Sequence, residues 1–254
     1  MNIPLDFAWI EATGLAAVRF TAFIFIAPPF SYGGFPARIK AMLAVGLAVV
    51  VSSKVAPGYE VLGTWGFLGA LVMQVLIGAL LGFLVSVIFS AVQSAGGLID
   101  TFGGFQLAQG FDPGMQINGA QFTRLFQMLA LALLFASNGH QLVLAGLVRS
   151  FDAVPVDGAL DMSKPIEMLV TATSQAIVAS LQIAGPLILV LFLADAGLGL
   201  ITRVAPALNA FAMGFPLKIL LTFTLVGTVL AVLPNVIDAL SDDAFRSVVG
   251  GARP

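Results

Sequence analysis

His140, Asp100, Asp112, Asp195 and Arg203 are the side chains whose chemistry stands out, because each lies in or beside a long apolar run. A histidine or carboxylate in such a setting can relay protons, and intramembrane charges can mark an ion path. Their spacing argues for neither. His140, the one histidine of the chain, stands in Ser-Asn-Gly-His-Gln, and a lone helical histidine is commonly a hydrogen-bonded structural residue. The three aspartates are scattered, with no carboxylate pair at a fixed helical spacing. Asp195 and Arg203 are opposite in sign and two turns apart on one possible helix, which suits a helix connection outside the lipid or a contact in an assembly. No GxSxG, HExxH or Walker motif is present. With no cysteine there is no thiolate nucleophile or thiolate metal site. The expectation is a protein that is not an enzyme and holds neither metal nor cofactor.

The elements that must position these residues follow from composition. Apolar residues make up 59% of the 254, charged residues only 9%, and glycine contributes 27 more. Average soluble domains carry about 25% charged residues. With 24 charged side chains and a mean hydropathy of +1.04, the chain lacks the shell a soluble globule needs. An integral membrane protein is the default class. The net charge of −2 leaves no basic footprint for nucleic acid. The first residues, MNIPLDFAWIEAT, lack a basic region and carry Asp6 and Glu11, so they do not read as a cleaved signal peptide.

Charge-free windows set the organisation. There are 39 uncharged residues between Glu60 and Asp100, 24 between Arg124 and Arg149, 27 between Glu167 and Asp195, and 19 between Lys218 and Asp238. A spanning helix needs about 20 apolar residues. The expected fold is all-α: a polytopic helical membrane protein with about six hydrophobic segments, at 8–28, 38–56, 67–93, 124–148, 168–194 and 217–238. The second is the shortest. The runs do not alternate with period 2, as a membrane barrel would. No repeat or linker marks a second domain, so 1–254 is read as a single integral membrane domain. Lys and Arg divide five to five between the two sides of a six-span bundle, so loop charge assigns no orientation.

Small residues recur every four positions at Gly78, Gly82, Ser86, Ser90 and Ser94, and again at Ala172, Ala176, Ser180 and Ala184. In lipid, helices associate where small residues let backbones approach. The spacing admits packing within this chain or against a partner subunit. Two stretches depart from a plain bundle. Gly96 to Asn118, GGLIDTFGGFQLAQGFDPGMQIN, holds six glycines and reads as broken helix and turn. Its Phe102, Phe105, Leu107, Phe111 and Met115 are not the residues of an exposed polar loop. At membrane depth irregular backbone survives only inside protein or along a water-filled cavity. The stretch therefore reads either as a re-entrant, pore-lining loop or as a loop folded onto the bundle. Asp195 to Lys218 is interrupted by Pro206 and Pro216 and reads as a helix-to-helix connection.

The chain resembles the FliR/SctT family of type III secretion export-gate membrane subunits, with the flagellar branch the nearer likeness. The carriers are Arg203-Val-Ala-Pro-Ala-Leu-Asn-Ala-Phe211 followed by Gly214-Phe-Pro-Leu217, then Phe111-Asp-Pro113 after the glycine-rich stretch, and Asn138-Gly-His140. Each motif is weak alone; their order, the apolar segments and the length make the resemblance specific. It implies a FliP-like part followed by a FliQ-like helical hairpin. It implies assembly with FliP and FliQ homologues, with FlhB and FlhA as further partners, in the bacterial inner membrane at the flagellar basal body. Unfolded flagellar proteins would be the substrate. Contact with membrane lipid is expected and contact with nucleic acid is not.

The family's plug loop would fall on Gly103 to Asn118, with Leu107 and Phe111 closing the pore and Phe105, Asp112, Pro113 and Met115 beside them. Arg203, Pro206, Asn209, Phe211, Gly214 and Pro216 would form an assembly and turn motif, with Asp195 or a neighbouring subunit as the acidic partner of Arg203. Gly78, Gly82, Ser86 and Ser90 would pack a helix. A small secondary transporter also uses broken helices. It should show an inverted repeat and an intramembrane charge cluster, and neither is visible. An intramembrane enzyme lacks its catalytic pair, and a purely structural scaffold overlaps with the gate.

Overall fold

The computed structural model describes residues 7–31, 34–105, 121–158, 163–205 and 210–250, without the side chains of 163–165, 210–212 and 241–250. All regular structure among these residues is helical: α1 (Phe7–Ile26), α2 (Ala37–Val55), α3 (Thr64–Gly103), α4 (Gln121–Ala136), α5 (Gly139–Ala153), α6 (Ser163–Val204) and α7 (Ala210–Gly250). The chain divides into two compact units, one of residues 1–88, 138–172 and 240–254, the other of 89–137 and 173–239.

The helix boundaries follow local chemistry. α1 stops ahead of Pro28–Pro29, whose rings remove two donors and bar the residue before them from helical geometry. α2 begins behind Pro36 and ends before Ala-Pro-Gly, where Gly58 takes a φ of 79°. α3 runs for 40 residues, about 60 Å of helix at ~1.5 Å per residue. It continues straight through Gly96–Gly97, where the sequence reads as broken, and ends only at Gly103, followed by Gly104 at φ 81°. An apolar surrounding offers no water to compete for the backbone, so two glycines do not open the helix. Pro216 likewise lies inside α7 instead of bracketing a turn, because that helix starts six residues earlier.

Among the described residues, four helices are long and apolar enough to cross a membrane: Phe7–Ile26, Thr64–Gly103, Ile166–Val204 and Met213–Leu240. A fifth span results if α4 and α5, bent by 75°, are taken as one. Two of the six expected segments therefore differ. The second, now α2, is helical but carries Arg38, Lys40 and Lys54 within its 19 residues. The fourth, 124–148, is broken at Asn138, whose φ of 58° is left-handed. Asn tolerates that region because its short amide can bond locally.

The first unit packs α1 through fully buried Leu15, Ala16, Phe20, Phe23 and Ile24. Gly78 and Gly82 of α3 set the distance between α3 and α1. A Cβ on Gly78 would collide with the Arg19 carbonyl oxygen and lie 2.9 Å from Ala22 Cβ. One on Gly82 would lie 3.0 Å from the Phe23 carbonyl oxygen. Ser86 is half-buried and Ser90 exposed, so the close approach is confined to the glycine half of the stripe. In the second unit α6 and α7 leave large apolar side chains uncovered, among them Leu189, Phe192, Leu220 and Phe223. Such surface suits lipid or another subunit, not water.

Candidate functional site

Leu107, Phe111, Asp112, Pro113 and Met115 lie outside the described residues, but both ends of the segment that carries them are described. At its near end, Gly96 and Asp100 stand four apart on α3 and so share one face. That face meets the first turn of α4. Asp100 Oδ1 accepts the Phe122 N–H at 3.0 Å. Its Oδ2 accepts the Thr123 N–H at 2.8 Å and the Thr123 hydroxyl at 2.7 Å. Phe122 and Thr123 occupy the second and third positions of α4, where backbone N–H groups have no partner within the helix. Asp100 thus caps a helix that begins 21 residues further along the chain. The helix dipole adds to the attraction for a carboxylate there. Asp100 has no exposed surface.

Gly96 makes this approach feasible. A Cβ there would lie 2.5 Å from the Phe122 carbonyl oxygen and 2.9 Å from Thr123 Cα, both backbone atoms. One turn beyond Asp100, α3 ends and Phe105 turns into an aromatic cluster. Its ring centroid lies 5.1 Å from that of Phe122, edge to face, and 6.1 Å from that of Phe223 on α7; Phe122 and Phe223 are 6.0 Å apart. Phe105 is therefore packed between α4 and α7. Gly103 fits beneath its ring, since a Cβ would lie 2.8 Å from it. Phe215 of α7 closes on Gly104.

Of the assembly motif, Pro206 and Asn209 lie outside the described residues, and Phe211 is described only as backbone in α7. Gly214 is buried, with Leu198 Cδ1 3.2 Å from where its Cβ would be. Arg203 is exposed on the last turn of α6. Asp195 does not serve it: the Asp195 carboxylate pairs with Lys218 Nζ on α7 at 2.7 Å. Eight residues along one helix separate Asp195 from Arg203 by about 12 Å, beyond salt-bridge reach.

A polar cluster the sequence did not single out lies in the first unit. Arg19 of α1 is fully buried, and among the described residues its acceptors are neutral. Its Nε donates to Gln74 Oε1 of α3 at 2.6 Å, Nη1 to Ser150 Oγ of α5 at 3.0 Å, and Nη2 to the Val154 carbonyl at 2.7 Å. Its guanidinium lies 4.1 Å from the Phe151 ring centroid, and Gln74 Nε2 donates to the Val156 carbonyl at 2.9 Å. The sequence signal was Arg19 as the lone charge in its window; its partners, up to 135 residues away, carried none. Nearby, Tyr59 and the Leu62 N–H both donate to Glu11 of α1. Burial first, then Glu11, then Asp157 push the Tyr59 phenol above its ordinary value, so it stays a donor at physiological pH.

These clusters join helices; they do not assemble reactive groups. Among the described residues no three His, Cys, Asp or Glu side chains are grouped to hold a metal. An apolar cavity of about 410 Å³ between α6 and α7, floored by Gln182, Ile183, Pro186, Val229 and Leu233, has no titratable side chain in its lining.

Comparison with known proteins gives one consistent likeness. The model of a family described as bacterial export proteins, family 1, matches residues 10–244. The flagellar biosynthetic protein FliR of Escherichia coli K12 is 31% identical over 94% of this chain and 92% of its own. FliR of Bacillus subtilis 168 is 29% identical over 89% of this chain and 88% of its own. The surface presentation of antigens protein SpaR of Shigella flexneri is 26% identical over 74% of this chain and 72% of its own.

Proposed function

Because the chain belongs to family 1 of the bacterial export proteins, we propose that it acts within a membrane gate through which flagellar proteins leave the cell. It is a type III export-gate subunit of flagellar biosynthesis. The observation that carries this is the match over residues 10–244, which takes in the candidate membrane-spanning helices almost whole.

The finer reading is as follows. The protein resides in the bacterial inner membrane at the flagellar basal body, as one membrane domain assembled with FliP and FliQ homologues and next to FlhB and FlhA homologues. Its role is conduction, not catalysis; the match to a family of bacterial export proteins supports that reading. The long α6 and α7, with their uncovered apolar faces, suit a FliQ-like hairpin that packs on neighbouring subunits. Arg203, exposed at the end of α6, is available to an acidic group of a neighbour. The segment from Gly103 to Asn118 closes the pore, with Leu107 and Phe111 toward the axis. A gate must hold back ions while shut and later pass varied unfolded chains. An apolar constriction does the first by dewetting, and flexible apolar side chains such as Met115 adapt to the second.

Purification of the tagged chain from its native membrane in a mild detergent tests the assignment. Co-purification of FliP and FliQ homologues is expected. A monomer or homodimer without them would favour a small transporter instead.

A further inference from the structure

We infer that the end of the α1–α2 hairpin binds the phosphate of an anionic membrane lipid, through Lys40, Arg38 and the free N-terminus of α2. Between Glu11 and Glu60 there are 48 residues without one acidic side chain, and four cations fall in that stretch. The fold serves two of them. Lys54 pairs with Asp152 at 2.7 Å, and Arg19 has its three neutral acceptors. Arg38 and Lys40 have no hydrogen-bond or ion-pair partner among the described residues. Lys40 is nevertheless only 8% exposed. A buried ammonium ordinarily has a counter-charge. Here the described residues offer it the ring of Phe25, whose centroid lies 5.4 Å from Nζ.

The same end of the hairpin carries a third positive element. α2 begins behind Pro36, which makes no side-chain cap, and no acidic residue stands in its first turn. The Ile39 and Lys40 N–H groups bond to the Pro36 carbonyl, whereas those of Ala37 and Arg38 have no acceptor among the described residues. A helix N-terminus repels cations and draws anions. Two cations in that turn therefore oppose the helix unless an anion sits among them. The Lys40 side chain leans back toward the N-terminus, as helical side chains do, so its ammonium and the free N–H groups converge.

Depth and surroundings select a lipid over an acidic protein segment. α1 is long and apolar enough to cross a membrane in its 20 residues, and Phe25 is its last residue but one. Read as a span, α1 ends at the headgroup level, where Lys and Arg meet lipid phosphate. The surface beside the cations is apolar: Phe35, Ile39 and Met42 are exposed, Met42 to 74%. A phosphate with acyl chains beneath it matches both the charged and the apolar part. A free phosphate ion or an exposed carboxylate matches the charged part alone.

The test uses the complete chain with its co-purifying subunits in mild detergent, washed free of native lipid. Dioctanoyl phosphatidylglycerol or dioctanoyl phosphatidylcholine is added, and native mass spectrometry counts the lipid retained. The intact chain is expected to prefer the anionic lipid. Arg38→Gln and Lys40→Met should each weaken its retention about fivefold, and the double variant about twenty-fivefold. Lys40→Arg should keep it, and Lys54→Gln, at the opposite end of α2, should leave it unchanged. Equal retention of both lipids, or a double variant that holds phosphatidylglycerol as well as the intact chain does, overturns the site. Displacement of the lipid by millimolar inorganic phosphate overturns the lipid assignment in favour of a free ion. Loss of a subunit from the double variant with lipid retention unchanged gives the cations to an acidic partner protein and also overturns it. Arg38 is exposed, so Arg38→Gln decides alone if a Lys40 variant fails to fold. Recovery of the chain from the soluble fraction without detergent would remove the membrane reading itself, and the inference with it.

Discussion

Gly96 and Gly97 are neighbours in sequence and opposites in what they tolerate. A Cβ on Gly96 would lie 2.5 Å from the Phe122 carbonyl oxygen, 2.8 Å from its carbon and 2.9 Å from Thr123 Cα. These are backbone atoms of a capped helix turn and cannot rotate away. Restoring an ordinary separation requires α4 to retreat by about 0.9 Å, which costs about 1–3 kcal/mol as overpacking. That retreat also stretches the Phe122 N–H bond to Asp100, itself worth about 1.5 kcal/mol or more as a bond to a charged group. A Cβ on Gly97 meets Thr123 Oγ1 at 3.5 Å, an ordinary contact. There the helix gains about 0.5–1 kcal/mol from replacing glycine by alanine. Gly96→Ala gains the same helix propensity, which cancels in the comparison, so the two variants should differ by at least about 2.5 kcal/mol, or roughly 5–10 °C in apparent melting temperature for a chain of this size. Thermal unfolding of the detergent-purified gate reads the difference. Melting of the two variants within about 2 °C of each other would refute the close-approach argument, because both carry the same chemical change.

Three further outcomes follow from the same geometry. Gly82→Leu should push α1 off α3, since even its Cβ would lie 3.0 Å from the Phe23 carbonyl and 3.1 Å from Ile26 Cβ; the yield of assembled gate on size exclusion checks this. Arg19→Met should cost about 2–5 kcal/mol by stranding Gln74 Oε1 and the Val154 carbonyl, and Arg19→Met with Gln74→Met should recover part of it, as a double-mutant thermal cycle would report. Asn138→Gly should be nearly silent, whereas Asn138→Val should lose about 1–3 kcal/mol in the same melt, because a β-branched residue is strained at a positive φ.

Helical class and membrane character are legible in the sequence because they depend on run length and charge exclusion, which are local sums. The same reasoning falters where rules learned in water meet an apolar surrounding. Gly96–Gly97 and Pro216 read as punctuation, yet α3 and α7 run through them, and Gly96 is there for contact. Asn138–Gly139, by contrast, does break its segment, because one residue adopts a left-handed backbone. The α3–α4 junction was legible only in part. Asp100 was visible as a carboxylate beside an apolar run, but its partners are backbone N–H groups, which leave no trace in side-chain identity. Arg19 was visible as a lone charge, but Gln74, Ser150 and Val154 are distributed over three other parts of the chain. Charge signs also misdirect: Asp195 shares a helix with Arg203, yet the fold gives it Lys218.

The most direct test of the account is secretion of flagellar filament protein by the native cell after removal of this chain. The account predicts that the filament protein accumulates inside, that none reaches the medium, and that re-expressing the intact chain restores export. Export at the normal rate without it would contradict the assignment to the gate.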